Sequence, residues 1–215
     1  MLHPRSLHPL RLVSALAPTM LFAAGALAQT LDNSVLMTNE TPGLAVSLQA
    51  GEYVGQRPVI RGLITSGTNS FMFVVPEGLR AETSSEGKVV LTSWDVRYFL
   101  SIEVVGPPPS EPGFKEALRQ HIASHSPNVS HLEELAVTVA EREGTGFQMR
   151  QTMPGVGDRL IRIIWVPFNA GVLEFTLNAD RAMASAGQGA LDMILLTFRS
   201  NERGKIEFVK RSDKT

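Results

Sequence analysis

Cysteine is absent from all 215 residues. That absence excludes disulfides, thiolate metal sites and cysteine nucleophiles together, so the folded chain must be held by packing alone. A surplus of basic charge is missing too. The chain carries 20 Lys and Arg against 21 Asp and Glu, which gives no reason to expect nucleic acid as a partner. No G-x-x-x-x-G-K-[ST] loop is present, and "GVGDR" and "AGQG" lack the strand–glycine–helix setting of a nucleotide fingerprint. No G-x-S-x-G elbow offers a hydrolase serine. Taken together, these gaps point to a protein that is not an enzyme.

What is present begins with "MLHPRSLHPLRLVSALAPTMLFAAGALAQT". Arg5 and Arg11 make a positive start, Leu12 to Ala24 an apolar core, and Ala26-Leu27-Ala28 an A-x-A cleavage site. The pattern predicts a signal peptide over 1–28 and a periplasmic or secreted protein. No later apolar stretch approaches the roughly 20 residues of a membrane helix, so no stable span is expected once the leader is cleaved. The leader takes two arginines and no acid with it, which leaves 18 basic against 21 acidic residues in 29–215, net −3. Residues 29–57, rich in Thr, Asn, Gly and Ser, read as a loosely structured arm whose one alternating piece, Leu44-Val46-Leu48, makes a short edge strand. Residues 58–215 read as a single domain, long enough to bury a core without staples.

Within that domain "RPVIRGLIT", "SFMFVVPEGLR", "KVVLTSW" and "VRYFLSIEVV" are short β-branched and aromatic runs between Gly, Ser and Asn clusters, which is how strands are written. "GPPPSEPG" interrupts them as an extended loop. Phe114, Leu118 and Ile122 then recur every fourth residue on one face of a helix that Pro127 ends. Strands resume in "LAVTVAERE", "GFQMRQTM", "RLIRIIWVPF" and "GVLEFTLN". The last two are expected to form a hairpin with Trp165 and Phe175 on one core face beneath a C-terminal helix, and Glu174 on an exposed face. That second helix is expected to start at Asp180 as N-cap, to fray around Gly187 and Gly189, and to bury Leu191, Ile194, Leu195 and Phe198. A last strand with Ile206 and Phe208 turned inward closes the chain. The fold class is α+β, a curved antiparallel meander with two main amphipathic helices packed on it.

The pieces "FVVPEGLRAETSSEGKVVLTS", "RLIRIIWVPFNAGVLEFTLNA" and "ILLTFRS" give the chain an order of elements over about residues 70 to 211 that resembles the PsbP-like family of thylakoid-lumen proteins and its bacterial DcrB-type periplasmic relatives. The resemblance implies a PsbP-like sandwich and a non-enzymatic domain that binds or steadies an envelope protein partner. It carries no functional residues with it, because no family motif matches residue by residue.

One stretch offers chemistry from its own residues. In "HIASHSPNVSH", His121 and His125 stand one helical turn apart, the spacing that chelates Zn or Cu, with His131, Glu133 and Glu134 close behind. On this pattern His125 points toward the sheet, and the alternative function is a periplasmic metal- or small-ligand-binding protein that uses residues 121–134. There is no H-E-x-x-H, so no general base stands between the ligands. The competing expectation is that imidazoles at a helix C-terminus satisfy its free carbonyls. Arg150, Arg162 and Glu174 on neighbouring strands present either a clamp for an anion or ordinary cross-strand charge pairs. Trp94, with Asp95, Arg97 and Tyr98, presents either a partner-binding patch or a strand end packed beneath a helix.

Overall fold

The chain alternates short strands with two helices: β1 (Ala45–Val54), β2 (Arg57–Ser66), β3 (Asn69–Val74), β4 (Leu79–Thr83), β5 (Val89–Ser93), β6 (Tyr98–Gly106), α1 (Phe114–His125), β7 (Val129–Val139), β8 (Arg142–Met153), β9 (Gly157–Phe168), β10 (Gly171–Asp180), a 3-10 turn at Arg181–Met183, α2 (Ala184–Thr197) and β11 (Arg199–Asn201). The computed structural model describes residues 43–54, 57–107, 113–126, 128–153, 155–169 and 171–201, the side chains of 52–57 excepted. The leader over 1–28, most of the expected arm and the expected strand at Ile206–Phe208 lie outside the described residues.

Among the described residues all pairings are antiparallel, and they build two sheets rather than one. A four-stranded sheet has the order β1-β2-β3-β11 and a seven-stranded sheet the order β4-β5-β6-β10-β9-β8-β7. The class is α+β as expected. β7, β8, β9 and β10 are neighbours in chain order, but β6 pairs with β10, so the chain passes through α1 from the middle of the large sheet to its far edge.

The segment expected to be a loose arm contributes structure from residue 43 onward. Leu44 is 2% exposed and belongs to the core. Its amide donates to the Gly87 carbonyl at 2.7 Å, and the Val46 amide to Thr83 Oγ1 at 2.9 Å. β1 is therefore a full ten-residue edge strand paired with β2, anchored by one apolar side chain and two hydrogen bonds against the β4 side of the large sheet.

Both faces of the large sheet are covered, each by a different helix. On one face Leu118 and Ile122 of α1 pack over Phe147, Met149, Ile161, Ile163, Trp165 and Val172. On the other, Ile194, Leu195 and the adjoining Phe198 pack with Ile164, Val166, Phe175 and Leu177, together with Phe71 and Phe73 of the small sheet. Phe198 is the junction: its ring stacks on Phe71 with centroids 5.6 Å apart and meets Phe175 edge-on at 5.1 Å. Phe71 in turn meets Phe168 edge-on at 5.4 Å.

Two glycines make close approaches possible. A Cβ on Gly62 would stand 2.6 Å from the Phe73 ring, which lies across that backbone. Gly187, expected to fray its helix, is instead buried in a continuous α2, where a Cβ would come within 2.9 Å of Leu177. Asp180 stands where an N-cap was expected, but its side chain makes no capping bond. It bonds arginines instead, at 2.8 Å to Arg159 and 3.4 Å to Arg97. Among the described residues no helix is long and apolar enough to cross a membrane.

Phe175 and Leu196 give the test of this architecture. Phe175→Ala should lower the unfolding free energy by about 3–5 kcal/mol, because it empties the centre of the aromatic junction. Leu196→Ala, at 76% exposure on the outer side of α2, should change it by no more than about 0.5 kcal/mol. Urea melts of the two variants measure both.

Candidate functional site

The hairpin β9–β10 sets the geometry of the site. Phe168 pairs with Gly171 and the loop between them has two residues, so each odd residue of β9 faces an even residue of β10. Trp165 therefore lies directly across from Glu174, and Ile164 across from Phe175. This corrects two expectations. Trp165 does not share a face with Phe175 beneath the C-terminal helix but lies under α1, edge-on to Phe114 with centroids 5.8 Å apart. Glu174 is not on an exposed face either; it is 5% exposed, beneath the same helix.

A carboxylate buried to that degree needs partners for its lone pairs, and Glu174 has three. The Trp165 indole N–H donates to Oε2 at 2.7 Å, the Thr176 hydroxyl donates to Oε1 at 3.0 Å, and His121 Nε2 stands 3.0 Å from Oε2. The hydrogen bond to Glu174 holds the His121 imidazole above its ordinary value of 6.5, against the opposing effect of burial. Burial pushes the Glu174 carboxyl upward, but the hydrogen bonds from His121 and Trp165, with the imidazolium charge, outweigh it and hold the group below its ordinary 4.5. Glu103 stands beside Glu174 on β6 in direct register and is paired with Lys88 at 3.1 Å, so the two adjacent carboxylates have separate cations. Together these contacts pin α1 onto the sheet.

The three histidines go to three places. His121, not His125, faces the sheet. His125 lies outside it, its ring stacked on that of His121 with centroids 4.3 Å apart. Its Nδ1 is 2.9 Å from the His121 carbonyl and 2.9 Å from Ser124 Oγ. The same His121 carbonyl also accepts from the Ser124 hydroxyl at 2.9 Å, so His125 bonds back onto the last turn of its own helix. His131 sits in β7 at a break in the register between Ser130 and Glu133, with φ 55°, and is exposed. Glu133 accepts from Gln148 Nε2 at 3.2 Å, and Glu134 pairs with Lys115. Among the described residues no three His, Asp or Glu side chains converge on a point that could hold a metal ion.

Arg150, Arg162 and Glu174 do not meet. Arg162 is on the α2 side, bonded through Nε to Gln148 Oε1 at 2.7 Å and near Asp192 at 3.5 Å. Arg150 pairs with Leu160 in register and shares its face, while Glu174 is under α1. Trp94 does not pack beneath a helix. It stands 72% exposed in the turn between β5 and β6, with Val96 71% exposed beside it.

No known protein family matches the chain, and no curated protein does. Among solved structures the chain is similar to the PsbP of the cyanobacterium Synechocystis sp. PCC 6803, CyanoP, at 10% identity and a TM-score of 0.42, over 73% of this chain and 93% of that one. It is also similar to PA94, a protein of unknown function from Pseudomonas aeruginosa, at 14% identity and a TM-score of 0.41, over 69% and 92%. LpqN of Mycobacterium tuberculosis, which is involved in cell envelope biogenesis, is similar at 12% identity and a TM-score of 0.41, over 74% and 91%. CyanoP is a PsbP, the family whose order of elements the sequence resembles. These likenesses are remote, and nothing those proteins do comes with them.

The network around Glu174 predicts both a cost and a pH dependence. Glu174→Ala should destabilise the protein by about 3 kcal/mol, because the buried Trp165 N–H and Thr176 hydroxyl lose their acceptor. The imidazolium's contribution is fully present below the unfolded histidine value of 6.5 and is lost as pH rises through the raised folded value. The carboxylate's contribution is fully present above the unfolded value of 4.5 and is lost as pH falls through the lowered folded value. Unfolding free energies measured across this range should show a component that is largest between pH 4.5 and 6.5, and that component should vanish in Glu174→Gln.

Proposed function

We propose that the chain is an exported, non-enzymatic α+β domain that binds a partner protein of the cell envelope through the turn between β5 and β6. The presentation of Trp94 and Val96 in that turn carries the proposal. Two large apolar side chains stand in solvent at a tip, although burial of either would be favourable by about 2 kcal/mol or more. The turn holds them there by construction. Asp95 Oδ1 accepts from Ser93 Oγ at 2.7 Å and from the Arg97 amide at 3.3 Å, while the Tyr98 amide donates to Ser93 Oγ at 3.2 Å. Val96 has φ 57°, a left-handed conformation that is costly for a β-branched residue. The guanidinium of Arg80 lies 5.8 Å over the Trp94 ring. Exposed Trp beside Arg is the composition of an interface anchor, and a rigid turn loses little entropy on docking.

Support for a non-enzymatic role comes from the use of the reactive side chains. Glu174 is consumed by three internal donors, and His125 bonds its own helix. Support for export comes from the leader pattern over 1–28.

A photo-crosslinking amino acid placed at position 94, in cells that make the protein, should give one discrete adduct with an envelope protein. The same probe at Leu48, half-exposed on β1, should give none. Equal adducts at both positions, or none at 94, would remove the turn as the contact.

A further inference from the structure

We infer that the protein binds a phosphate monoester in a basic cavity on the α2 face, between β8, β9 and the start of α2. The cavity has a volume of about 190 Å³ and its floor is Leu160. Around it stand Arg150, Arg159 and Arg181, with Asp158 and Gln188.

These arginines are in different states. Arg159 is fixed: it donates to Asn178 Oδ1 through Nε and to Asp180 Oδ1 through Nη1 at 2.8 Å. Asp180 is also shared with Arg97 at 3.4 Å, so one carboxylate serves two guanidinium groups. Arg181 has only a distant contact with Asp158, at 3.6 Å between largely exposed side chains. Such a pair is worth little, and a better acceptor can take the guanidinium. Arg150 has no side-chain partner among the described residues. The charged residues that line the cavity are Arg150, Arg159 and Arg181 against one carboxylate, Asp158, and with Asp180 counted as the partner of Arg159 a local surplus of positive charge remains. Glu133, which does not line the cavity, accepts from the Gln148 amide. The whole chain, by contrast, has a net charge of −1.

That surplus selects the ligand class. A phosphate monoester carries about −1.5 to −2 at neutral pH with three strong acceptor oxygens, and guanidinium forks match it with paired, charge-assisted hydrogen bonds. The cavity also leaves room beyond the phosphate for a small organic group over Leu160. Gln188 can read that group: its Nε2 is given to Gln148 Oε1 at 2.9 Å, which leaves its own carbonyl oxygen as an acceptor. The same phosphate chemistry is offered by a soluble ester and by a phosphatidic acid headgroup.

Calorimetry with inorganic phosphate and with glycerol 3-phosphate, alongside flotation with phosphatidylcholine vesicles containing phosphatidic acid, separates the two sources. Saturable binding of one free phosphate per chain, weakened at least about tenfold in an Arg150→Ala, Arg181→Ala double variant, supports a soluble ester. Binding to phosphatidic acid vesicles alone, lost in the same variant, supports a lipid headgroup. Arg119→Ala, on α1, should leave either result unchanged. Both substituted arginines are exposed, so the variant should keep its melting temperature, and Arg150→Gln alone gives the same readout with less disturbance. Absence of binding to every probe, or binding that the double variant retains, overturns the inference.

Discussion

A strand buried on both faces has no water to satisfy the polar groups it carries, and the centre of this molecule is a hairpin of that kind. β9 and β10 meet α1 on one side and α2 with the small sheet on the other. Every polar side chain placed there must find its partners inside the protein, or the strand cannot stay in register. Glu174 is the severe case. Its charge is tolerable only because an indole, a hydroxyl and an imidazole converge on it, and the imidazole comes from a different element. The position of α1 is thereby tied to the register of the hairpin: a shift of one residue would put Phe175 where Glu174 must meet His121.

The same constraint shapes the rest of the fold. With no disulfide available, the two sheets are held by a shared apolar core, in which the rings of Phe71, Phe175 and Phe198 meet, and by the hydrogen bonds of β1 to Gly87 and Thr83. Phe198 follows α2 directly and precedes β11, which pairs with β3 of the small sheet. One residue thus closes the large sheet's face and delivers the chain to the other sheet. Gly62 and Gly187 belong to this arrangement, since each gives up a side chain where a ring or a strand must come close.

Much of this was legible in the sequence, because period and punctuation are local properties. The strands from β2 to β10, both helices and the α2 stripe follow from alternation, four-residue recurrence and Gly or Pro breaks, whereas β11 falls where the helix was expected to end. The faces of the central hairpin did not follow, although two signals were there. The two-residue loop in "PFNAG" makes paired positions sum to an odd number, so Trp165 and Phe175 cannot share a face. The unbroken apolar run Ile163-Ile164-Trp165-Val166 also leaves no exposed face on that strand. The partition into two sheets was less accessible. It depends on β3 pairing with β11 rather than with β4, and on β6 choosing β10 as its neighbour, a contact across about seventy residues that no local pattern encodes. The histidine spacing misled for a related reason, since helical periodicity gives a direction only relative to the sheet, and the sheet's own faces had been misassigned.

Once the core's demands are met, the residues that break local rules without serving it become informative. Glu174 breaks the rule against buried charge, and its three partners account for it. Val96 in a left-handed conformation has no such account, since it is exposed and packs nothing that needs it. Arg150 is similar: a long cation with no side-chain partner among the described residues, beside two other guanidinium groups, adds repulsion that the fold does not require. Strain or repulsion with no internal return is expected where something outside the chain supplies the compensating contact. The exceptions fall outside the doubly covered hairpin centre, at a turn and around the start of α2. That is where a fold fixed so tightly by Glu174 and Phe198 can present chemistry without disturbing what holds it together.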